Sequence, residues 1–307
     1  MVTGGVRPSM GNVSRCSPGM TTIREEIMAD SSKQPRQRLL LAVDISNTGI
    51  KFGLYPLHGD ALLARWRIAT SREKTVDEYA MLLESLCQHA GLQLEDIDDA
   101  IIASVVPQLT SVFTELSLRY LRLEPIVVSH QVDLGMRLLV DNPWETGTDR
   151  IISTLAAHHF YGGPAIVIQF GTATSFDCVS SDGDFLGGAI APGLAISAEA
   201  LARAGAQLYQ VELAPPPTAL GKNTAHSMRS GIIFGHVGLV EGLVARLRSD
   251  VPGGDKAKVI AHGGLAELMA GVTTCIDVVD TNLLLNGLQV AYSRIGTGRS
   301  SKRSRTR

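Results

Sequence analysis

Several patterns are missing from this chain, and each absence closes off a class of function. The 307 residues contain only four cysteines, Cys16, Cys87, Cys178 and Cys275. They are widely separated and none forms a CxxC pair, so neither a zinc ribbon nor a dithiol redox motif is supported. Dispersed thiols suit a reducing compartment, and the expected location is the cytoplasm. No apolar run approaches the length of a membrane span, and the N-terminus lacks the basic-then-apolar layout of a signal peptide. The formal net charge is −2, so no global field for nucleic acid is expected. The common nucleotide and hydrolase signatures are absent too: there is no GxxxxGKS/T, no GxGxxG opening a helix, no HExxH and no GxSxG. Any use of ATP must run through another fold.

What is present is a regular α/β alternation with enough apolar residues, 45% against 19% charged, for a large core. Residues 1–37, rich in Gly, Ser, Pro, Arg and Met, read as a disordered extension, and the basic end GTGRSSKRSRTR (296–307) as a disordered solvated tail. From Leu39 the pattern is orderly. RLLLAVDI is a short apolar run ending at a polar turn, hence a buried strand. IKFGLYPL and ALLARWRIAT follow as strands around a turn at Gly59-Asp60. TVDEYAMLLESLCQHAG has helical spacing, with Thr75 as N-cap and Gly91 as stop. The strand DAIIASVVP, the helix SVFTELSLRYL, the strand EPIVVS and the helix GTDRIISTLAAHHFYGG follow.

The scheme then begins again. PAIVIQFGTATSFDCVSSDGDFLGGAI reads as three strands, and SAEALARAGAQL and SMRSGIIFGHVGLVEGLVARLRSD as helices. AKVIAHGG is a strand, LAELMA a short helix, CIDVVD a strand and NLLLNGLQVAYSRI a closing helix. Laying Asp44 on Gln169 puts Ser46 on Gly171 and Asn47 on Thr172. The reading is an internal repeat: two duplicated α/β halves, 38–150 and 151–295, with one polar turn reaching into a shared cleft from each side.

The first turn, within LAVDISNTGIKFGLY, sets small polar residues between two buried strands. Such a turn exposes backbone N–H groups that can cradle a phosphate. Asp44 would then hold Mg²⁺ or an activating water, and Lys51 would neutralise phosphate charge. The plainer alternative is a hairpin turn in which Asn and Thr make local hydrogen bonds. His158 and His159 are adjacent on a helix and face different ways, so they make a poor metal pair. His226 and His236 read as core or surface residues, and His262 as a satisfied strand-end histidine.

DISNTGIKFGLY, NPWETGTDR, FGTATSFD, GGAIAPG, GKNTAHSMRSGIIFGHVGLVEGL and GGLA, in that order, resemble the type III pantothenate kinase family over roughly Leu39 to Ile295. The resemblance implies an actin-like (ribonuclease H-like) fold of two duplicated α/β domains with an interdomain cleft, in the superfamily of actin, hexokinase and the large chaperone ATPases. It implies a homodimer that phosphorylates the primary hydroxyl of pantothenate with ATP, the first step of coenzyme A synthesis. Mg²⁺ and a monovalent cation, K⁺ or NH₄⁺, are the implied cofactors; neither a membrane nor nucleic acid is an implied partner. By position, the segment Asp44 to Lys51, with Ser46, Asn47 and Thr48, would be the ATP phosphate turn, and Thr172 would meet ATP from the second turn. Asp149 would be the catalytic base. Gly147, Thr148, Asp149 and Arg150 would hold pantothenate, with Arg150 as a fork for its carboxylate, and Thr224 would touch it across the dimer interface. Without the surrounding motifs, Asp149-Arg150 would read only as helix-terminal charge with a surface ion pair.

Three departures from the family pattern stand out. Ser46 replaces a glycine, which would cost roughly 1 kcal/mol or more if the backbone there is left-handed; otherwise its hydroxyl adds a donor. Gln169 replaces the aspartate that would ligate the monovalent cation, so cation binding should weaken or disappear. Val140 stands at a substrate-contacting position where many members have tyrosine, and one hydrogen bond to pantothenate is lost. The competing reading is therefore an impaired homologue that binds nucleotide or pantothenate as a regulator. Some relatives are named Bvg accessory factors after a proposed role in transcription.

Overall fold

The computed structural model describes residues 38–205 and 207–303. The extension expected over 1–37 and the last four residues of the basic tail lie outside the described residues; residues 296–303, expected as disordered tail, instead continue the last helix.

The first half builds a five-stranded sheet. β1 (Leu39–Ile45), β2 (Gly49–Pro56) and β3 (Ala64–Ala69) pair antiparallel, and β4 (Ile97–Ser104) and β5 (Ile126–Val127) add in parallel, in the order β3-β2-β1-β4-β5. The second half repeats this with β6 (Ala165–Phe170), β7 (Ala173–Val179), β8 (Phe185–Pro192), β9 (Lys258–Gly263) and β10 (Val278–Val279), in the order β8-β7-β6-β9-β10. Strand for strand, the two orders are the same. The repeat inferred from sequence is thus a repeat of topology.

β1 is buried throughout, and apolar in all but Asp44, because both of its faces are covered. Leu39, Leu41 and Val43 pack with Tyr79, Leu83 and Cys87 of α1 (Val76–His89) and with Leu109, Phe113 and Leu116 of α2 (Pro107–Leu116). Leu40 and Ala42 turn the other way, onto Ile151, Ile152 and Leu155 of α3 (Thr148–Tyr161). Burying each such leucine contributes about 1.5–3 kcal/mol. α1 starts where its sequence says. The Thr75 hydroxyl accepts from the Glu78 amide at 3.3 Å and the Glu78 carboxylate accepts from the Thr75 amide at 2.8 Å, and Gly91 ends the helix at φ +73°.

In the second half, Ile166, Ile168 and Phe170 pack against α4 (Leu194–Ala204), α5 (Thr224–Asp250) and α6 (Ala266–Ala270) through Leu194, Ile233, Val240, Val244 and Met269. Ala165 and Val167 face Ala156 and Ala157 of α3 and Leu283 of α7 (Leu283–Arg303). α5 is 27 residues long and, by length and composition alone, apolar enough to cross a membrane. That differs from the expectation that no segment reaches that length. Its apolarity has a local cause: Met228, Ile232, Ile233, Val240 and Val244 are buried in this half's packing.

α3 and α7 lie between the two sheets and belong to both cores. α7 sets Leu284, Leu285 and Leu288 on the first sheet, and Tyr55 Oη donates to Asn286 Oδ1 at 2.9 Å. The two helices run close together at Gly287, where an added Cβ would stand 2.6 Å from the Ile152 carbonyl oxygen.

Candidate active site

The site follows from the strand period. On β1 the residues facing α3 are Leu40, Ala42 and then Asp44; on β6 they are Ala165, Val167 and then Gln169. Side chains two apart on a strand share a face. Each row is apolar inside the core and turns polar as the strand leaves it. Both rows end near the N-terminus of α3, which carries Asp149 in its first turn. A cleft of about 630 Å³ opens there, with Ser46, Asn47 and Thr48 on one side and Gly171, Thr172 and Ala173 on the other.

Asp44 is 2% exposed, and Lys51 Nζ stands 3.1 Å from its Oδ2. Burial pushes the Asp44 carboxyl above the usual carboxylate range, and the negative charge of Asp149 pushes the same way; Lys51 opposes both. Asp149 Oδ2 accepts a hydrogen bond from Gln169 Nε2 at 3.3 Å. Arg150 donates through Nε to Asp177 Oδ1 at 2.6 Å, and its guanidinium lies 5.4 Å from the centre of the Phe185 ring. Asp177 is fully buried and also accepts from Ser175 Oγ at 3.1 Å. Burial raises it to about 6 in spite of Arg150 and Ser175.

Of the residues singled out from sequence, Ser46, Asn47, Thr48, Lys51, Asp149, Arg150, Gln169 and Thr172 line this one cleft, with Asp44 buried beneath. Gly147 and Thr148 do not line it; they seat the start of α3, where Thr148 Oγ1 donates to the Ser104 carbonyl at 3.2 Å. Val140 and Thr224 are also absent from its wall. Val140 packs by Gly187 of β8, and Thr224 is an exposed residue at the start of α5.

Ser46 is not left-handed, since among the described residues the only non-glycine positive φ belongs to Arg122. The strain considered for it does not arise. Its hydroxyl closes the turn instead, donating to the Gly49 carbonyl at 2.8 Å. His262 lies beside Gln169 in the β6–β9 register but is not satisfied. It is 2% exposed and its Nε2 has no hydrogen-bond partner. Burial, then the charge of Lys51, lowers it to about 3, so it is neutral.

No group of three or more His, Cys, Asp or Glu side chains gathers among the described residues. Asp44, paired with Lys51, and Asp149, close enough for its charge to act on Asp44, nevertheless supply hard carboxylate oxygens. That set suits Mg²⁺, which keeps several waters and takes other ligands from substrate phosphates.

The family model described as type III pantothenate kinase matches residues 40–246. This chain belongs to that family. It is 49% identical over 254 residues to the type III pantothenate kinase of Roseiflexus sp. (strain RS-1), covering 83% of this chain and 98% of the relative. It is 46% identical over 256 residues to the type III pantothenate kinase of Moorella thermoacetica, covering 83% and 99%. Among solved structures it resembles component A of the (R)-2-hydroxyglutaryl-CoA dehydratase of Acidaminococcus fermentans, with a TM-score of 0.50 at 15% identity over 84% of this chain and 99% of that one. The fold is the duplicated actin-like α/β architecture.

For this family member, sequence reasoning missed several residues of the cleft. Arg65 and Arg67 come from β3, Ser175 from β7, Glu267 from α6, and Thr281 and Asn282 precede α7. Asp177, which holds Arg150, was missed as well. Two signals were readable: the strand spacing of RWR puts Arg65 and Arg67 on one face, and Asp177 follows Ser175 at the same interval in FGTATSFD.

Proposed function

We propose that this chain transfers the γ-phosphoryl group of ATP to the primary hydroxyl of pantothenate, in the cleft between the two sheets. The carrying observation is the position of Asp149: its carboxylate opens on the same cleft as both small-residue turns and accepts a hydrogen bond from Gln169. The pantothenate oxygen attacks the γ-phosphorus, the bond to the β–γ bridging oxygen breaks, ADP leaves, and the hydroxyl proton passes to Asp149. A carboxylate suits that task because it orients the alcohol and takes its proton as the new bond forms.

The backbone and hydroxyls of Ser46, Asn47, Thr48 and Thr172 hold the phosphates, with Lys51 beside them. Asp44 would hold Mg²⁺ through water, and that ion would supply positive charge against the phosphate oxygens. Arg150 holds the pantothenate carboxylate, and its pairing with Asp177 fixes its orientation. Gly147 and Thr148 shape the start of α3 around the acceptor. Thr224, exposed and away from the cleft of its own chain, completes the acceptor site of a partner in a homodimer, while Val140, packed by Gly187 off this wall, makes no hydrogen bond to the acceptor. Gln169, an amide turned toward Asp149, leaves a weak or absent site for K⁺ or NH₄⁺. The division at 150/151 falls in the first turn of α3, the helix that both cores share, and the protein works in the cytoplasm.

The test is direct. Purified full-length protein with ATP and Mg²⁺ should release ADP only when pantothenate is added, and phosphate should appear on the primary hydroxyl. ATP binding without pantothenate-dependent release would favour the regulator over the kinase.

A further inference from the structure

The β3 strand carries a cation that the proposed reaction has not used. In the register of the first sheet, Asp44 pairs with Lys51 and Lys51 with Arg67. The three therefore form one row across β1, β2 and β3. Lys51 and Arg67 both line the cleft.

The ion pairs of the cleft separate Arg67 from its neighbours. Lys51 is paired with Asp44 at 3.1 Å, and Arg150 with Asp177 at 2.6 Å. Arg65 donates to the neutral oxygens of Thr281, at 3.2 Å, and Asn282, at the opposite end of β3 from the polar turn. Among the described residues Arg67 has no carboxylate partner. It is exposed, yet its guanidinium lies over Gly49, directly after the Ser46–Thr48 turn. A Cβ at Gly49 would stand 2.8 Å from Arg67 Nε and 3.0 Å from a terminal nitrogen. The bare backbone of Gly49 makes the space in which that fork lies flat against the turn. Arg72 approaches the same turn from outside, donating to Asn47 Oδ1 at 3.1 Å.

We propose that Arg67 binds the phosphate chain of ATP, as the guanidinium that meets phosphate oxygens at the first turn. A planar fork of fixed donors matches phosphate oxygens two at a time. An arginine already paired with a buried carboxylate has less charge to offer a polyanion than one with no such partner. As phosphoryl transfer proceeds, charge spreads over the equatorial oxygens, and a donor already in place stabilises it without reorganisation. This assignment rests on the reading of the cleft as an ATP site, but not on pantothenate being the acceptor.

The experiment uses full-length protein with Arg67→Gln and Arg67→Lys. Affinities for MgATP and for AMP are measured by calorimetry without pantothenate, and steady-state kinetics are measured with it. In Arg67→Gln, ATP affinity should fall about 10- to 100-fold and kcat at least about 100-fold, the range expected for losing a charge-assisted phosphate contact. AMP affinity should stay within about twofold and pantothenate KM within about threefold on the same reasoning, since neither ligand presents the β- and γ-phosphates. Arg67→Lys should restore much of the ATP affinity but little of kcat, because the charge returns without the fork. Unchanged ATP affinity and kcat, or a loss confined to pantothenate KM, would overturn the assignment. If wild-type protein binds ATP in an Arg67-dependent way yet shows no pantothenate-dependent turnover, the kinase reading fails while this one stands. Circular dichroism and the melting temperature guard against misfolding, and Arg67→Lys carries the test should Arg67→Gln not fold.

Discussion

The two halves share one strand order and differ in what they bring to the cleft. At corresponding positions the first sheet presents Asp44, Lys51 and Arg67, while the second presents Gln169, Ser175 and Ile190. Beside Asp44 on β4 stands Ala103; beside Gln169 on β9 stands His262, held neutral. Along these rows one sheet is thus the charged wall and the other the neutral wall; Glu267, which the second half also brings to the cleft, comes from α6 and not from its sheet. The duplicated frame sets where groups stand, and the substitutions along one row decide which wall can hold a polyanion. The exception lies one step further along β7: Asp177 carries a charge into the neutral half, at the place where the first half has Gly53, and immediately pairs it with Arg150.

The largest expected effect tests the helix that both halves share. Asp149→Asn should lower kcat about 10²- to 10⁴-fold, the usual contribution of a positioned base, with ATP affinity measured alongside to show that the phosphate site survives. Full activity in that variant would remove Asp149 from the chemistry.

The next test compares the walls directly. Lys51→Ala leaves the buried Asp44 carboxylate without its partner and should cost about 1–3 kcal/mol of stability, besides weakening ATP binding. Ser175→Ala, at the corresponding place, removes the hydrogen bond that Ser175 Oγ donates to the Asp177 carboxylate but leaves that carboxylate its Arg150 partner, and should cost less, about 1–1.5 kcal/mol. Both are read from urea denaturation midpoints. Equal costs would mean that the charge contrast between the walls has no energetic weight.

Acid titration separates the walls in another way. His262 is lowered in the fold from 6.5 to about 3, so the unfolded chain binds more protons and stability is lost as pH falls below about 6.5. Asp177 is raised from 3.8 to about 6, so the folded chain binds more protons and its effect on stability runs the other way, weakening the fold as pH rises from about 4 to 6. Between pH 6 and 4 the two oppose each other. His262→Gln should therefore lose less stability on acidification than wild type, and Asp177→Asn should lose more. The same Asp177 titration predicts that pantothenate KM rises as pH drops below about 6, because a protonated Asp177 no longer holds Arg150. In Asp177→Asn, KM should be high throughout, without that pH-dependent step.

The smallest effects concern the departures from the family pattern. Turnover should vary by no more than about twofold with K⁺ or NH₄⁺, since Gln169 brings no charge to attract a cation, and Gln169→Asp should introduce a dependence. Ser46→Gly should destabilise by about 1 kcal/mol or less, because it removes the hydroxyl that closes the turn and relieves no left-handed strain. A gain in stability would mean that the serine is a poor fit after all.

The sequence by itself determined the local parts of this protein. The capping pair of Thr75 and Glu78, the stop at Gly91, the buried run of β1 and the two small-residue turns each follow from interactions within a few residues of chain. So does the repeat, because it is written in the order of those elements. The tertiary structure decided what depends on distant neighbours. α7 is the last helix yet packs on the first sheet; Arg150 is claimed by Asp177 across 27 positions; and the arginines of β3 face the cleft because β2 brings Arg67 alongside Lys51 and Arg65 alongside Gly53. A spacing of two tells which residues share a face of a strand, but which face meets the cleft is set only when α3 and α7 are packed between the sheets, since burial of their apolar sides on both cores selects that arrangement.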